Sequence, residues 1–114
     1  MTQDSNEEKQ MKKKYRLIAK CYDKTGNLIS YGTNSYVKTH PIQAALARSV
    51  GQPERIYLHA EISAIIRARG KAIHKIKIER YDFSGNEANA HPCPVCMLAI
   101  KQAGIKLVEY TIGS

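Results

Sequence analysis

The sequence contains no tryptophan, one phenylalanine and three cysteines in 114 residues. Three cysteines cannot build the fully paired framework that stabilises small secreted domains, so stability has to come from a hydrophobic core. No apolar run approaches the roughly 20 residues that a membrane-spanning helix needs. The opening MTQDSNEEKQ also lacks the apolar segment of a signal peptide. We therefore predict no membrane partner and a cytoplasmic location.

The composition is that of a single globular domain, with 43% apolar and 25% charged residues. Residues 1–13 alternate acidic and basic side chains and contain almost nothing apolar, which predicts a flexible tail followed by one domain over residues 14–114. The net charge of +8 favours anionic partners, either nucleotides or nucleic acid. Because the basic residues are spread along the chain, a solvated basic surface is the alternative interpretation.

Apolar periodicity and turn residues predict four strands and three helices. The strands are expected at 15–21, 28–34, 76–83 and 108–112, and the helices at 42–50, from about 59 to a stop at Gly70, and 94–103. The apolar phase slips between Ile78 and Tyr81, which favours a β-bulge there. Two successive strand–helix–strand units imply parallel pairing in the second half, and hence a mixed sheet carrying helices.

The central motif is His59-Ala60-Glu61, followed later in the chain by Cys93-Pro94-Val95-Cys96. A catalytic zinc takes three protein ligands and keeps one position open for water. One imidazole, from His59, and two thiolates, from Cys93 and Cys96, supply such a set. With Cys93 as the N-cap, Pro94 occupies the first helical position, and both sulfurs lie near the positive helix end that favours thiolates.

Glu61 follows His59 by two residues, and both fall where a helix is expected to begin. At a helix start, both side chains can face a cavity beyond the helix end, and such helix starts are where ligands bind in an open α/β sheet. We expect Glu61 to hydrogen-bond the metal-bound water and to carry its proton, without binding the metal itself.

With its HAE and PCPVC segments, the chain resembles the zinc-dependent cytidine/deoxycytidylate deaminase superfamily from Tyr15 to its end. The resemblance implies a cytidine-deaminase-like three-layer α/β sandwich with a mixed sheet, a Zn²⁺ cofactor and hydrolytic release of an exocyclic amine. It also implies that Asn34, near the end of the second strand, contacts the substrate. The other predicted substrate contacts are Ala60, Tyr36 and His91. The ring of Tyr36 or of His91 could stack on a base.

Departures from the cytidine branch bear on the substrate. His59 stands where free-cytidine deaminases usually carry Cys, and PCPVC replaces a PCGxC run, so the chain looks more like the deoxycytidylate, guanine and tRNA-adenosine branches. Ser63 replaces the Asn of the HAExNA run that deoxycytidylate deaminases often have. The short C-terminus leaves the last strand as an uncovered edge, which predicts a homo-oligomer.

We interpret the sequence as a zinc-dependent deaminase that converts a cytosine nucleoside or nucleotide to its uracil product. A deaminase of nucleic acid (tRNA adenosine or single-stranded DNA cytosine) or of guanine is the first alternative. A non-catalytic zinc module is the second, with His91 or Cys21 as a fourth ligand. A redox C-x-x-C pair is disfavoured, because no thioredoxin-like pattern surrounds it.

Overall fold

A computed structural model describes residues 15–113, and the predicted flexible tail lies outside the described residues. The elements follow in the order β1 (Arg16–Tyr22), β2 (Leu28–Thr33), α1 (Pro41–Ser49), α2 (Ala60–Arg67), β3 (Lys75–Tyr81), β4 (Glu87–Ala88), α3 (Pro94–Gln102) and β5 (Leu107–Tyr110). In residues 15–113, no helix has the length and apolar character needed to cross a membrane.

The five strands form one mixed sheet. Strand β1 lies between β2 and β3 and pairs with both in antiparallel orientation. On its other side β3 pairs with β4 in antiparallel and with β5 in parallel orientation. The parallel pair follows from the crossover through α3, and it confirms the pairing predicted for the second half of the chain. The mixed α/β fold class is confirmed as well.

Two local features differ from the predictions. Strand β4 lies in a stretch predicted as loop, because a two-residue pairing of polar residues leaves no apolar alternation to detect. The bulge predicted in β3 is wrong, since β3 pairs with β1 in unbroken register from Tyr81 to Lys75. The apolar phase slips because Tyr81 lies on the polar side of the strand, where its hydroxyl donates to the Glu79 carboxylate at 2.6 Å. Within the described strands, a register shift lies instead between β1 and β2, at Cys21 and Tyr22.

Helices α2 and α3 pack against one face of the sheet. Alternate residues of β1 and β3 supply the buried side of that face, and α2 covers it with small residues: Ala19, Cys21, Ile76 and Ile78 meet Ala60, Ala64 and Ala68. A second apolar cluster joins the three helices to one another through Leu46, Ile62, Val95 and Ala99. Among the described residues, all three helices contribute to these two clusters.

Strand β5 forms an edge of the sheet within residues 15–113, because β3 is its only partner there. Leu107 and Ile112 beside this edge are half-exposed or more. An unpaired edge with apolar neighbours invites pairing with another chain. The homo-oligomer stays a prediction.

Candidate metal and catalytic site

The starts of two helices build the site. His59 is the N-cap of α2 and Cys93 is the N-cap of α3, with Pro94 in the first helical position as predicted. Neither side chain caps its own helix. Each helix start therefore forgoes the roughly 1 kcal/mol that a capping side chain contributes, and both side chains are available to a ligand between the helices.

His59, Cys93 and Cys96 converge on one point. The Nδ1 atom of His59 lies 3.1 Å from the Cys96 Sγ atom and 3.4 Å from the Cys93 Sγ atom. All three ligand atoms lie within 4.8 Å of one another. Tetrahedral zinc with ordinary Zn–N and Zn–S bonds separates its ligand atoms by about 3.5–3.8 Å. The three residues fit zinc, with small adjustments, through the Nδ1 atom of the imidazole.

The charges of the ligands are tightly linked. The pKa of Cys93 is lowered to about 3, chiefly by a hydrogen bond from the Cys96 thiol and also by His59, against the opposing effect of burial. The pKa of Cys96 is raised, because its proton is held in the bond to Cys93 and burial disfavours a second thiolate. Burial lowers the pKa of His59, but the hydrogen bond and charge of Cys93 outweigh it and raise the pKa overall. The donor set therefore already carries thiolate character of the kind that zinc binds.

Glu61 lies in the first turn of α2, beside this group and outside it. Its side chain is 3% exposed, and its Oε1 atom has no hydrogen-bond partner among the described residues. Burial raises the pKa of the carboxyl group, while its backbone hydrogen bond and the charge of His59 act in the opposite direction. An orphaned buried carboxylate oxygen calls for an absent partner, and a perturbed carboxyl group in a cleft is typical of a functional site.

A cavity of about 420 Å³ opens beside the metal-binding group. This volume lies in the range of about 300–1,000 Å³ that is usual for small-molecule sites. The structure brings His59, Glu61 and Cys93 to this cavity together with all four predicted substrate contacts, Asn34, Ala60, Tyr36 and His91.

Asn34 has a structural task in addition to its place in the cavity wall. Its Oδ1 atom accepts a hydrogen bond from the Leu17 backbone N–H at 2.9 Å, and its Nδ2 atom donates to the Tyr15 carbonyl at 3.1 Å. The Tyr36 hydroxyl also binds the Tyr15 backbone, accepting from its N–H at 2.9 Å. One N–H and one lone pair of the Asn34 amide remain for a ligand.

The two alternative zinc ligands have other neighbours. Cys21 is buried in the sheet core, and the His91 ring packs edge-on against Tyr110 with centroids 5.2 Å apart. Within residues 15–113 neither belongs to the group that could hold a metal. His40 accepts the Ile42 N–H at 3.0 Å as the N-cap of α1. The described part of the chain thus offers three ligands and leaves the fourth position open.

Gln43 was not predicted from the sequence to take part in the site. It is 0% exposed on α1, its Oε1 atom accepts the His59 N–H at 3.2 Å, and its Nε2 atom donates to the Arg55 carbonyl at 3.0 Å. The signal that could have found it is its spacing: Gln43 stands three and four residues before Leu46 and Ala47 on the buried face of α1. A glutamine in such a position has to find hydrogen-bond partners inside the protein.

Other residues that line the cavity were not predicted either. Four of them are charged or aromatic and belong to no recognisable sequence motif: Glu54, Arg55, Tyr57 and Arg80. They reach the site from the segment before α2 and from the end of β3, so only the fold brings them together.

A mixed α/β domain with a His-Cys-Cys group and a neighbouring glutamate at two helix starts is typical of zinc-dependent base deaminases. The family model of the cytidine and deoxycytidylate deaminase zinc-binding region matches residues 1–112, and the chain belongs to this family. No curated protein matches the chain at a significant level. The predicted family and zinc cofactor are confirmed, with His59, Cys93 and Cys96 positioned to bind the metal ion.

Proposed function

We propose that the protein hydrolyses the exocyclic amine of a cytosine nucleoside or nucleotide, giving the uracil product and ammonia. One observation carries the proposal. A buried carboxylate, Glu61, has an unpartnered oxygen beside a three-ligand metal group that lacks a fourth ligand in residues 15–113. A closed structural zinc site has no use for such a carboxylate.

Zinc held by His59, Cys93 and Cys96 supplies a Lewis acid that lowers the pKa of water toward neutrality. Glu61 takes the proton of the attacking water and passes it to the ring nitrogen N3 of the base. It then takes the second proton of that water from the new hydroxyl group on C4 and gives it to the departing amine, which leaves as ammonia, so the same carboxyl group acts alternately as base and as acid. Its burial suits this exchange, because burial brings its pKa closer to neutrality.

The cavity dimensions favour a small substrate over a polymer. About 420 Å³ beside the metal group accommodates a single nucleoside unit, and Asn34 has hydrogen-bonding capacity left to orient it. The side chains of Tyr36 and His91 flank the space in which a base would lie.

A nucleic-acid substrate is the second candidate, favoured by the net charge of +8 and by one surface patch. Exposed Tyr31 lies with Arg67 and Arg69 around a shallow depression of about 360 Å³ at the β2 edge. Arginines beside an exposed aromatic ring suit single strands. An enzyme that uses this patch would lose affinity steeply as salt rises, whereas deamination of a free nucleotide would change little.

The first experiment replaces Glu61 by glutamine. We expect E61Q to keep its zinc and its fold and to lower turnover by at least ~10²-fold, the low end for acid–base catalysis. Zinc content by elemental analysis and ammonia release are measured on the same sample. E87Q, which changes an exposed glutamate of β4, is the matched control and should match the wild type. Loss of zinc from E61Q would identify Glu61 as a metal ligand and would contradict the proposal.

A further inference from the structure

Two arginines line the cavity with no counter-ion among the described residues. Arg80 comes from the end of β3, and Arg55 comes from the segment before α2. The ion pairs found in residues 15–113 are Lys20–Glu79 and Lys75–Glu109, and neither includes a cavity arginine. Arg80 is partly buried, whereas Arg55 is exposed, and Glu54 lines the same cavity without an ion pair to either arginine. A partly buried positive charge without a partner is costly, and a bound anion would offset that cost at Arg80.

Arg80 is held in place before any ligand arrives. Its guanidinium carbon lies 3.8 Å from the centroid of the Tyr15 ring, and its Nη1 atom donates to the Asn89 carbonyl at 3.0 Å. Its Nε atom is buried and has no acceptor. Fixing a long side chain in advance removes much of the entropy cost of binding.

Arg55 is anchored through its backbone to the metal ligand. Gln43 accepts the N–H of His59 and donates to the carbonyl of Arg55, so one buried amide sets the spacing between them. Arg80 enters the cavity from the sheet, whereas His59 and Cys93 enter it from the helix starts. A substrate with its amine at the metal group can therefore extend toward the arginines.

Resting on the proposed deamination of a cytosine unit, we infer that Arg80 and Arg55 bind the phosphate of that substrate. The enzyme then selects a cytosine nucleoside monophosphate over the corresponding nucleoside. The planar guanidinium group matches phosphate oxygens with two parallel N–H donors, which an ammonium group cannot do. The phosphate supplies the counter-charge that the protein side chains around Arg80 lack.

The test compares deoxycytidine with its 5′-monophosphate for the zinc-loaded wild type, R80Q and R55Q. Loss of a hydrogen bond to a charged group predicts that R80Q lowers kcat/KM for the monophosphate by about 10- to 100-fold. The value for deoxycytidine should stay within about threefold, because that substrate never makes the contact. R55Q should show the same selective loss with smaller size, since Arg55 is the more exposed of the two. R48Q, which changes an exposed arginine of α1 outside the cavity, is the charge-matched control and should leave both values unchanged.

Arg80 also donates to the Asn89 carbonyl. A purely structural role of Arg80 therefore has to be distinguished from phosphate binding. Equal losses for both substrates in R80Q would assign Arg80 to structure and overturn the inference, as would a wild type that prefers the nucleoside. Conversion of single-stranded oligonucleotides alone would overturn it too, because the phosphate would then belong to a polymer backbone. R80K keeps the charge and tests the forked geometry if R80Q fails to fold, with a selective loss for the monophosphate again expected.

A binding measurement separates this inference from the proposed reaction. Calorimetry with the products deoxyuridine and its 5′-monophosphate needs no turnover. Tighter binding of the monophosphate, lost in R80Q or R80K, supports the phosphate site even if no deamination is observed. Equal binding of both products to the wild type would overturn the site, while leaving the deaminase proposal intact.

Discussion

At the residue scale, Gln43 ties the metal ligand to the cavity rim. Its amide is fully buried and is paired with His59 on one side and with Arg55 on the other. Groups that orient metal ligands typically change metal affinity by about 10- to 100-fold when they are removed. Because Gln43 holds the backbone of His59, it is a positioning residue and not a catalytic one.

Replacing Gln43 by alanine should therefore weaken zinc binding by at least ~10-fold. Competition with a chromogenic chelator measures the affinity, and Q102A, an exposed glutamine of α3, serves as the control. A purely structural role would lower the unfolding temperature of Q43A and leave the zinc affinity unchanged. That outcome would contradict the positioning role.

The three metal ligands were predictable from the sequence, whereas the residues that position them and line the cavity were not. His59, Cys93 and Cys96 follow from local spacing, and Pro94 marks the helix start that places two of them. The spacing of Gln43 on α1 indicates only that it is buried, because its partners lie 12 and 16 residues away. Arg80 carries no local signal, since it stacks on Tyr15, just before β1. The roles of Glu61 and of the four substrate contacts remain predictions.

At the element scale, one glycine lets α2 approach the sheet. A Cβ atom on Gly32 of β2 would lie 2.5 Å from the Ala64 nitrogen and 2.7 Å from the Ala60 oxygen. The Ser30 hydroxyl, two residues earlier on the same strand, donates to the Ala64 carbonyl at 2.8 Å. Strand β2 thus sets the distance between the sheet and helix α2, which follows His59 and carries Glu61.

The G32A variant should destabilise the fold by about 1–3 kcal/mol, the usual cost of overpacking. It should also lower turnover, because α2 must move away from β2. Urea unfolding gives the stability, and T33A, at the exposed neighbouring position, is the control. Wild-type stability together with wild-type turnover in G32A would show that α2 does not depend on this contact.

Helix ends were more predictable than the short strand. Helix α3 was predicted to end at residue 103, and Gly104, which follows the C-cap Ala103, has a φ of 72°. The N–H groups of Gly104 and Ile105 donate to the Lys101 and Ile100 carbonyls at 3.1 and 3.3 Å, the two bonds of a Schellman motif. Glycine and proline signal such ends by their own backbone preferences. The pairing of β4 with β3 depends on tertiary contact, which leaves no local pattern.

At the scale of the whole molecule, zinc binding and stability should be coupled. The ligands join the starts of α2 and α3, two helices that hold much of the core together. A ligand that binds only the folded state stabilises it by about 2.7 kcal/mol at a concentration 100 times its Kd. Unfolding of the protein releases the metal, so the two equilibria are linked.

Chelation of zinc should accordingly lower the unfolding temperature, and added zinc should restore it. Thermal unfolding at constant pH and protein concentration measures the shift, with magnesium as a control that offers no preference for thiolates. C93S should show little response to zinc, because the variant lacks one thiolate ligand. Equal unfolding temperatures with and without zinc would contradict the coupling.

Substrate specificity depends on which residues the fold brings to the cavity. Sequence patterns alone therefore did not identify the substrate. The net charge of +8 favours nucleotides and nucleic acids alike. In the fold, Arg55 and Arg80 reach the cavity, whereas Arg67 and Arg69 lie around a different surface depression. The sequence spacing of these residues says nothing about that division.

The most direct test of the proposed function is whether the zinc-loaded protein converts a cytosine nucleoside or nucleotide to its uracil counterpart. Deoxycytidine and its 5′-monophosphate are each incubated with the purified protein, and the uracil product is measured by chromatography. We expect uracil product with an equal amount of ammonia, and none after zinc has been removed. Complete absence of uracil product from nucleosides and nucleotides, with zinc present and the protein folded, would contradict the assignment.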